Sequence, residues 1–234
     1  MLENIETKVI RYKPIAALAN WVQLAFIISA IIAVVSIISE FMQADLLIGA
    51  LHGKYFSMAQ ATANDDREAL IAWIALGIFI MSAIIFLIWV YRANKNLHAF
   101  KTPVLRFSPG WAVGWWFIPL AWLFMPYQAM NEISKASNPV IDTSINSADN
   151  LPRSAIVGIW WAFFLISKYI GTVTFRVLLR DDTITDLLNA TYAYIASDTV
   201  NIVGCVITII MVRKISQSQD KRYLKTIEMT RQEA

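Results

Sequence analysis

The sequence predicts an all-α membrane protein: four transmembrane helices, a Trp/Pro-rich re-entrant or interfacial element and a short amphipathic helix, in a single integral membrane domain over residues 1–234. Three observations predict it. The chain is 57% apolar and 16% charged, with a mean hydropathy of +0.52, against about 45–50% and 25% for an ordinary soluble domain, so the excess apolar surface faces something other than water. The apolar residues also come in long uncharged runs, Pro14–Ser39 and Ala69–Tyr91, and about 20 such residues cross a bilayer. Finally, the 25 residues from Phe107 to Asn131 carry no charge but hold Pro109, Pro119, Pro126 and four of the nine tryptophans. That stretch is too apolar for water and too rich in helix breakers for one straight span.

The first span, residues 14–39, follows Lys8, Arg11 and Lys13. It is longer than the ~7–15 residues of a cleavable signal core and reads as a retained helix. In the connection over 40–68, Leu47, Leu51, Tyr55 and Met58 recur at helical spacing, which predicts a short amphipathic helix lying on the membrane. Asp65 to Glu68 then reads as a capping box opening the second span, 69–91. Trp89 and Tyr91 suit the headgroup level, and Arg92, Lys95, Lys101 and Arg106 form a basic loop.

In the central element, 107–131, Trp111, Trp115 and Trp122 fall on one helical face, and Gly110 and Gly114 make a small-xxx-small pair open to a close neighbour. Pro119 stops or kinks any helix through it. Asn138–Arg153, rich in Ser, Asn, Asp and Pro, reads as a loop. The third span is 154–178, with Trp160 and Trp161 near its start, followed by a polar turn over 179–190 and the last span, 191–212. The tail beyond Arg213 has no Pro or Gly, so its helix is free to continue into water.

Charge decides the threading. If the central element crosses fully, nine Lys and Arg fall on the side of the N-terminus and ten on the other. If it returns to the same side, fifteen fall with both termini and four opposite. The positive-inside bias favours the second arrangement, with both termini cytoplasmic. Broken backbone at membrane depth is tolerated where protein covers it, which agrees with a re-entrant or interfacial element packed by the four spans.

The sequence holds no GxSxG, P-loop, Rossmann glycine pattern, HExxH or CxxC pair, so the balance lies against an enzyme, and no cofactor or metal is expected. Cys205 has no second cysteine to pair with, and His52 and His98 have no partner at ligand spacing. The basic residues are juxtamembrane, so no nucleic-acid partner is expected. The ionisable groups inside apolar runs are Lys168, Arg176 and Asp198. Each such charge costs about 2.5–3.5 kcal/mol at bilayer depth and calls for a partner. Arg176 can snorkel to the interface. An antiparallel hairpin places Lys168 opposite Asn201 and one turn from Asp198, which predicts a polar pair: a packing clasp, or a proton or ion relay.

Two function classes follow. In the first, a membrane binding protein holds a lipid, an apolar ligand or a partner helix at the aromatic element. Trp111, Trp115 and Trp116 line the site, and Arg92, Lys95 and Asn96 lie at its polar end. In the second, a small transporter or channel-like protein has its path at Lys168, Asp198 and Asn201. Membrane lipids, a second copy of the chain or a partner membrane protein are the expected partners.

The stretches Trp89-x-Tyr91-Arg92-Ala93-x-x-Asn96-Leu97, Phe107 to Pro119, and Pro126-Tyr127-Gln128-Ala129-Met130 together resemble a bacterial membrane family of unknown function, number 4328 in the domain-of-unknown-function series. Trp122 and Ser134 depart from that pattern. The resemblance implies a bacterial cytoplasmic membrane location and no particular activity.

Overall fold

The computed structural model describes residues 12–100, 102, 105–139, 154–178 and 183–232. Among them all regular structure is helical: α1 (Ala16–Leu51), α2 (Met58–Ala99), α3 (Pro109–Gly114), α4 (Met125–Ala136), α5 (Ala155–Leu178) and α6 (Ile184–Gln232), with 3-10 turns at Trp115–Phe117 and Ala121–Leu123. Four of these, α1, α2, α5 and α6, are long and apolar enough to cross a membrane. The expected loop over Asn138–Arg153 lies mostly outside the described residues, as do residues 179–182 and the Arg176 side chain.

The helix ends explain where the expected boundaries move. α1 continues through Glu40 to Leu51 because residues 40–51 contain no proline and only one glycine, Gly49, in its last turn. It stops at Gly53, whose φ of +78° is the left-handed conformation glycine adopts without a Cβ clash. Gly53 N donates to Ala50 O at 3.0 Å and Lys54 N to Gly49 O at 2.9 Å, the paired bonds of a Schellman ending. The connection therefore forms no amphipathic helix of its own. Leu47 and Leu51 end α1, Tyr55 lies in the turn, and Met58 begins α2.

The capping box sits earlier than Asp65. Ser57 N donates to Gln60 Oε1 at 2.9 Å, and Gln60 N to Ser57 Oγ at 3.3 Å, a reciprocal pair that satisfies the first donors of α2. Residues 58–68 are thus helical, and Asp65 is interior. The polar turn expected over 179–190 is likewise shorter: Asp186 N donates to Thr183 Oγ1 at 3.1 Å, which caps α6 from Ile184 onward. As expected, the last helix runs on past Arg213, for 49 residues in all.

The described residues pack as two compact units. One gathers those within Asn20–Phe86 and Gly158–Val212, the other those within Met1–Ala19, Leu87–Val157 and Arg213–Ala234. The first holds the apolar stretches of the long helices. Ser29 and Ser82 bridge α1 and α2 at 3.1 Å, and Trp160 Nε1 donates to Thr208 Oγ1 at 3.1 Å between α5 and α6. Trp160 and Trp161 are buried here against Phe86 and Phe164, as packing residues. Thr191, part of an Asn-Ala-Thr triplet, is also buried and accepts from Gln43 Nε2 at 3.0 Å.

The second unit has a polar core in which Gln219 and Asn96 are the hubs. Gln219 Nε2 donates to Ala93 O at 2.9 Å and Ser137 Oγ at 3.0 Å, while its Oε1 accepts from Asn96 Nδ2 at 3.1 Å. Asn96 also donates to Lys13 O at 3.1 Å and accepts from Lys13 N at 3.3 Å. Trp89 Nε1 donates to Ser216 Oγ at 3.0 Å. Arg222 donates to Ala136 O, and Lys225 to Pro139 O at 3.3 Å, supplying cations to the carbonyls at the end of α4. Tyr12 donates to the Asp220 carboxylate and stacks on Tyr223. Burial, reinforced by that carboxylate, raises the Tyr12 pKa above its ordinary value.

Candidate functional site

The central element owes its shape to its prolines. Ser108 caps α3, its Oγ accepting from Trp111 N at 3.4 Å, with Pro109 in the first turn, where a missing N–H costs nothing. Ile118 is extended at φ −94°, ψ 120°, as a residue before proline must be. Leu120 follows Pro119 at φ 65°, ψ −41°, with Ala121 N donating to Pro119 O at 2.8 Å, a γ-turn whose strained backbone costs about 1–3 kcal/mol. The chain then turns through Ala121–Leu123 into α4, which buries Pro126, Ala129, Met130, Ile133 and Ala136 on one face. Phe117, Leu120 and Phe124 project outward, each more than 60% exposed.

A cleft of about 320 Å³ opens beside this element, lined by Arg106, Phe107, Ser108, Trp111, Trp115 and Met125. Its lip, residues 105–108, is pinned by two helices. Glu132 on α4 accepts from Arg106 N at 2.9 Å and Phe107 N at 3.2 Å, and His98 Nε2 on α2 lies 3.2 Å from Phe107 O. Glu132 is buried, and burial pushes its carboxyl pKa up, an effect that the two N–H donors and the nearby Arg106 and His98 only partly offset. The walls are aromatic, with the Trp111 and Trp115 rings 4.8 Å apart. Gly114 makes room for that pair: a Cβ there would lie 3.3 Å from the Trp111 ring, whereas nothing approaches Gly110. The Trp115 indole N–H is buried and meets no acceptor. The Arg106 guanidinium, at the exposed end, gives the cleft a cation above an aromatic floor.

Of the expected site residues, Trp111 and Trp115 line the cleft and Trp116, Arg92, Lys95 and Asn96 do not. Asn96 is committed to the polar core, and the Lys95 ammonium lies 5.6 Å from the Tyr91 ring centroid. Trp122 leaves the face of Trp111 because the helix ends before it. Arg106 was expected as part of the basic loop rather than at the cleft, and Ser108, Glu132 and Met125 were not expected at a site. Their one signal was that Arg106 abuts the Ser-Pro that opens α3. Asn94, completely buried on α2, keeps both ends of its amide without a hydrogen-bond partner.

Lys168 and Asp198 are not brought together. The Trp160–Thr208 bond sets an antiparallel register that puts Lys168 opposite Val200, one residue from the expected Asn201. Rotation about the helix axes separates the charges. The Lys168 ammonium lies over Phe79 and Phe164, 5.3 and 5.7 Å from the ring centroids, while Asp198 meets Ser36 on α1. Asn201 is exposed, with Cys205 Sγ at 3.9 Å.

Four long apolar helices and a proline-broken aromatic element flanked by cationic residues define a multi-span membrane protein. The chain matches the family model described as Domain of unknown function (DUF4328) over residues 52–217 and belongs to that family. No curated protein and no solved structure matches it.

Proposed function

We propose that the protein is a membrane-embedded binding protein that holds an amphipathic anion, a lipid with an acidic headgroup, in the cleft beside the central element. The observation that carries this reading is the cleft's composition: Arg106 and Ser108 at one end, Trp111, Trp115, Phe107 and Met125 along the walls. A headgroup phosphate suits the guanidinium, and acyl carbons suit the aromatic faces. The outward Phe117, Leu120 and Phe124 suit a re-entrant or interfacial position at the headgroup–acyl boundary.

In this reading the protein sits in a bacterial cytoplasmic membrane with both termini cytoplasmic. The charge distribution supports that sidedness. So does the bonding within one unit of Lys13, Asn96, Ser137 and Gln219, which draws the start of the chain, the end of α2, α4 and the last helix into one body.

Mass spectrometry of lipid retained by the purified protein tests the reading. Wild type should hold an acidic phospholipid above its share of the membrane, and Arg106→Ala with Trp111→Ala should lose the excess while keeping its helical circular dichroism. Equal lipid profiles for the two proteins would contradict it.

A further inference from the structure

A second polar centre lies in the other unit, at the end of the apolar runs. Glu40 follows the uncharged run of α1, Glu68 precedes that of α2, and Asp198 precedes that of α6. Hydrogen bonds fix how the three helices meet. Gln43 bonds Thr191 across α1 and α6, and two turns further along each antiparallel helix bring Ser36 to the Asp198 carboxyl. Ser39 Oγ donates to Glu68 Oε1 at 2.6 Å across α1 and α2. Glu40 lies one turn from Ser36, accepts from its hydroxyl at 3.4 Å, and has Asp198 and Glu68 as its charged neighbours.

Among the described residues Arg67 is the cation bonded here, and its Nε and Nη2 are engaged away from Glu40 and Asp198. Arg67 Nε bonds Ser39 Oγ at 2.7 Å, and Nη2 bonds Asn64 Oδ1 at 2.6 Å, Ser39 O at 3.2 Å and Glu68 Oε1 at 3.2 Å. Arg67 and Glu68 form an ion pair, while among the described residues neither Glu40 nor Asp198 has a basic side chain within 4.0 Å. Lys168, on α5, is over the Phe79 and Phe164 rings. Glu40 is 6% exposed, and its Oε2 is buried without any partner. An ionised carboxylate so placed is costly unless a positive charge reaches it. One charge suffices, because neighbouring carboxylates that share a single proton or ion no longer repel as two full charges. Among the described residues no three His, Cys, Asp or Glu side chains gather as a metal-ligand set, so the donor set is two carboxylates and a hydroxyl, suited to a single small charge.

We propose that Glu40, Asp198 and Ser36 form a binding site for one monovalent cation, an alkali ion or a proton. The site is independent of the lipid cleft, with which it shares no residue.

Thermal unfolding of the full-length protein in detergent tests it in two arms. At fixed pH and ionic strength, sodium chloride replaces choline chloride. In choline alone, the pH is lowered, with Glu40 faced by Asp198 from α6 and by Glu68 and Arg67 from α2. If the occupant is an alkali ion, sodium raises the Tm of wild type. If it is a proton, acidification raises it and sodium does not. Glu40→Gln abolishes the sodium response or, with the acid arm run in a Glu132→Gln background to remove that group's own pH dependence, the acid response, while Asp45→Asn, which removes an exposed charge elsewhere on α1, leaves it intact. Should Glu40→Gln fail to fold, Asp198→Asn is the second variant, expected to blunt the same response. A wild type whose Tm responds to neither arm, or a Glu40→Gln protein that responds as wild type does, overturns the proposal.

Discussion

Two asparagines two residues apart on α2 have opposite fates. Asn96 uses both its donors and its acceptor oxygen, on Lys13 and Gln219, whereas the equally buried Asn94 uses none. Removing a partner from a satisfied network strands the other groups, at about 1–3 kcal/mol for each, while replacing an unsatisfied amide by an apolar group of similar shape is neutral or stabilising. Asn96→Leu should therefore lower the Tm in detergent and Asn94→Leu should hold or raise it; equal losses would mean that Asn94 has a partner after all. Glu132 gives a second prediction, with a defined sign. Its folded pKa is raised, so the folded state holds this proton to higher pH than the unfolded chain does. The stability it contributes is full below the unfolded glutamate pKa of about 4.3 and is lost as the pH rises through the folded value. Wild type should thus lose stability relative to Glu132→Gln over that window, as read from paired unfolding curves, and parallel curves would show that burial does not govern the group.

At the level of elements, the apolar runs were legible and the helix ends were less so. Ala155–Leu178 falls within a residue of its expected limits because its apolar run, crossed by Lys168 and Arg176, is bounded by polar segments at both ends. α1 overran its expected end by twelve residues, because the run was closed at the first charge, Glu40, although a helix ends at a backbone signal, here Gly53. The capping box at Ser57–Gln60 and the Thr183 cap were written in the chain, but the expected start of the second span was placed at the denser charges near Asp65 and the last span was started only after a polar turn over 179–190. Ser57→Ala should cost about 1 kcal/mol, as loss of a working cap does, and Asp65→Ala less than about 0.5 kcal/mol, as an exposed interior change does. Denaturant unfolding separates the two, and a larger cost at Asp65 would return the helix start to that position. The candidate site was half legible. Trp111 and Trp115 stood out by type and spacing, but the choice of Arg106 over Arg92 and Lys95 depends on how the chain doubles back through residues 105–108. The separation of Lys168 from Asp198 depends on rotation about the helix axes, which a register of residues along the helices leaves open.

For the whole molecule, the proposed threading has four helices crossing and the central element returning to the side it left. Four crossings leave the N-terminal tail, residues 92–106, residues 131–154 and the tail from Arg213 on one side, with fifteen of the twenty Lys and Arg. In that proposed threading the cleft faces the cytoplasmic leaflet, where the headgroup of an acidic lipid would meet Arg106. Single cysteines placed in a Cys205→Ser background test this most directly, through labelling of intact cells by a membrane-impermeant thiol reagent. Tyr55→Cys, in the exposed turn between α1 and α2, should label from outside, while Asn138→Cys after α4 and Glu228→Cys near the end of α6 should label only once the membrane is opened. Labelling of Asn138→Cys or Glu228→Cys in intact cells would contradict the four-crossing arrangement, and labelling of Glu228→Cys while Asn138→Cys stays protected would reverse the sidedness of α6 alone.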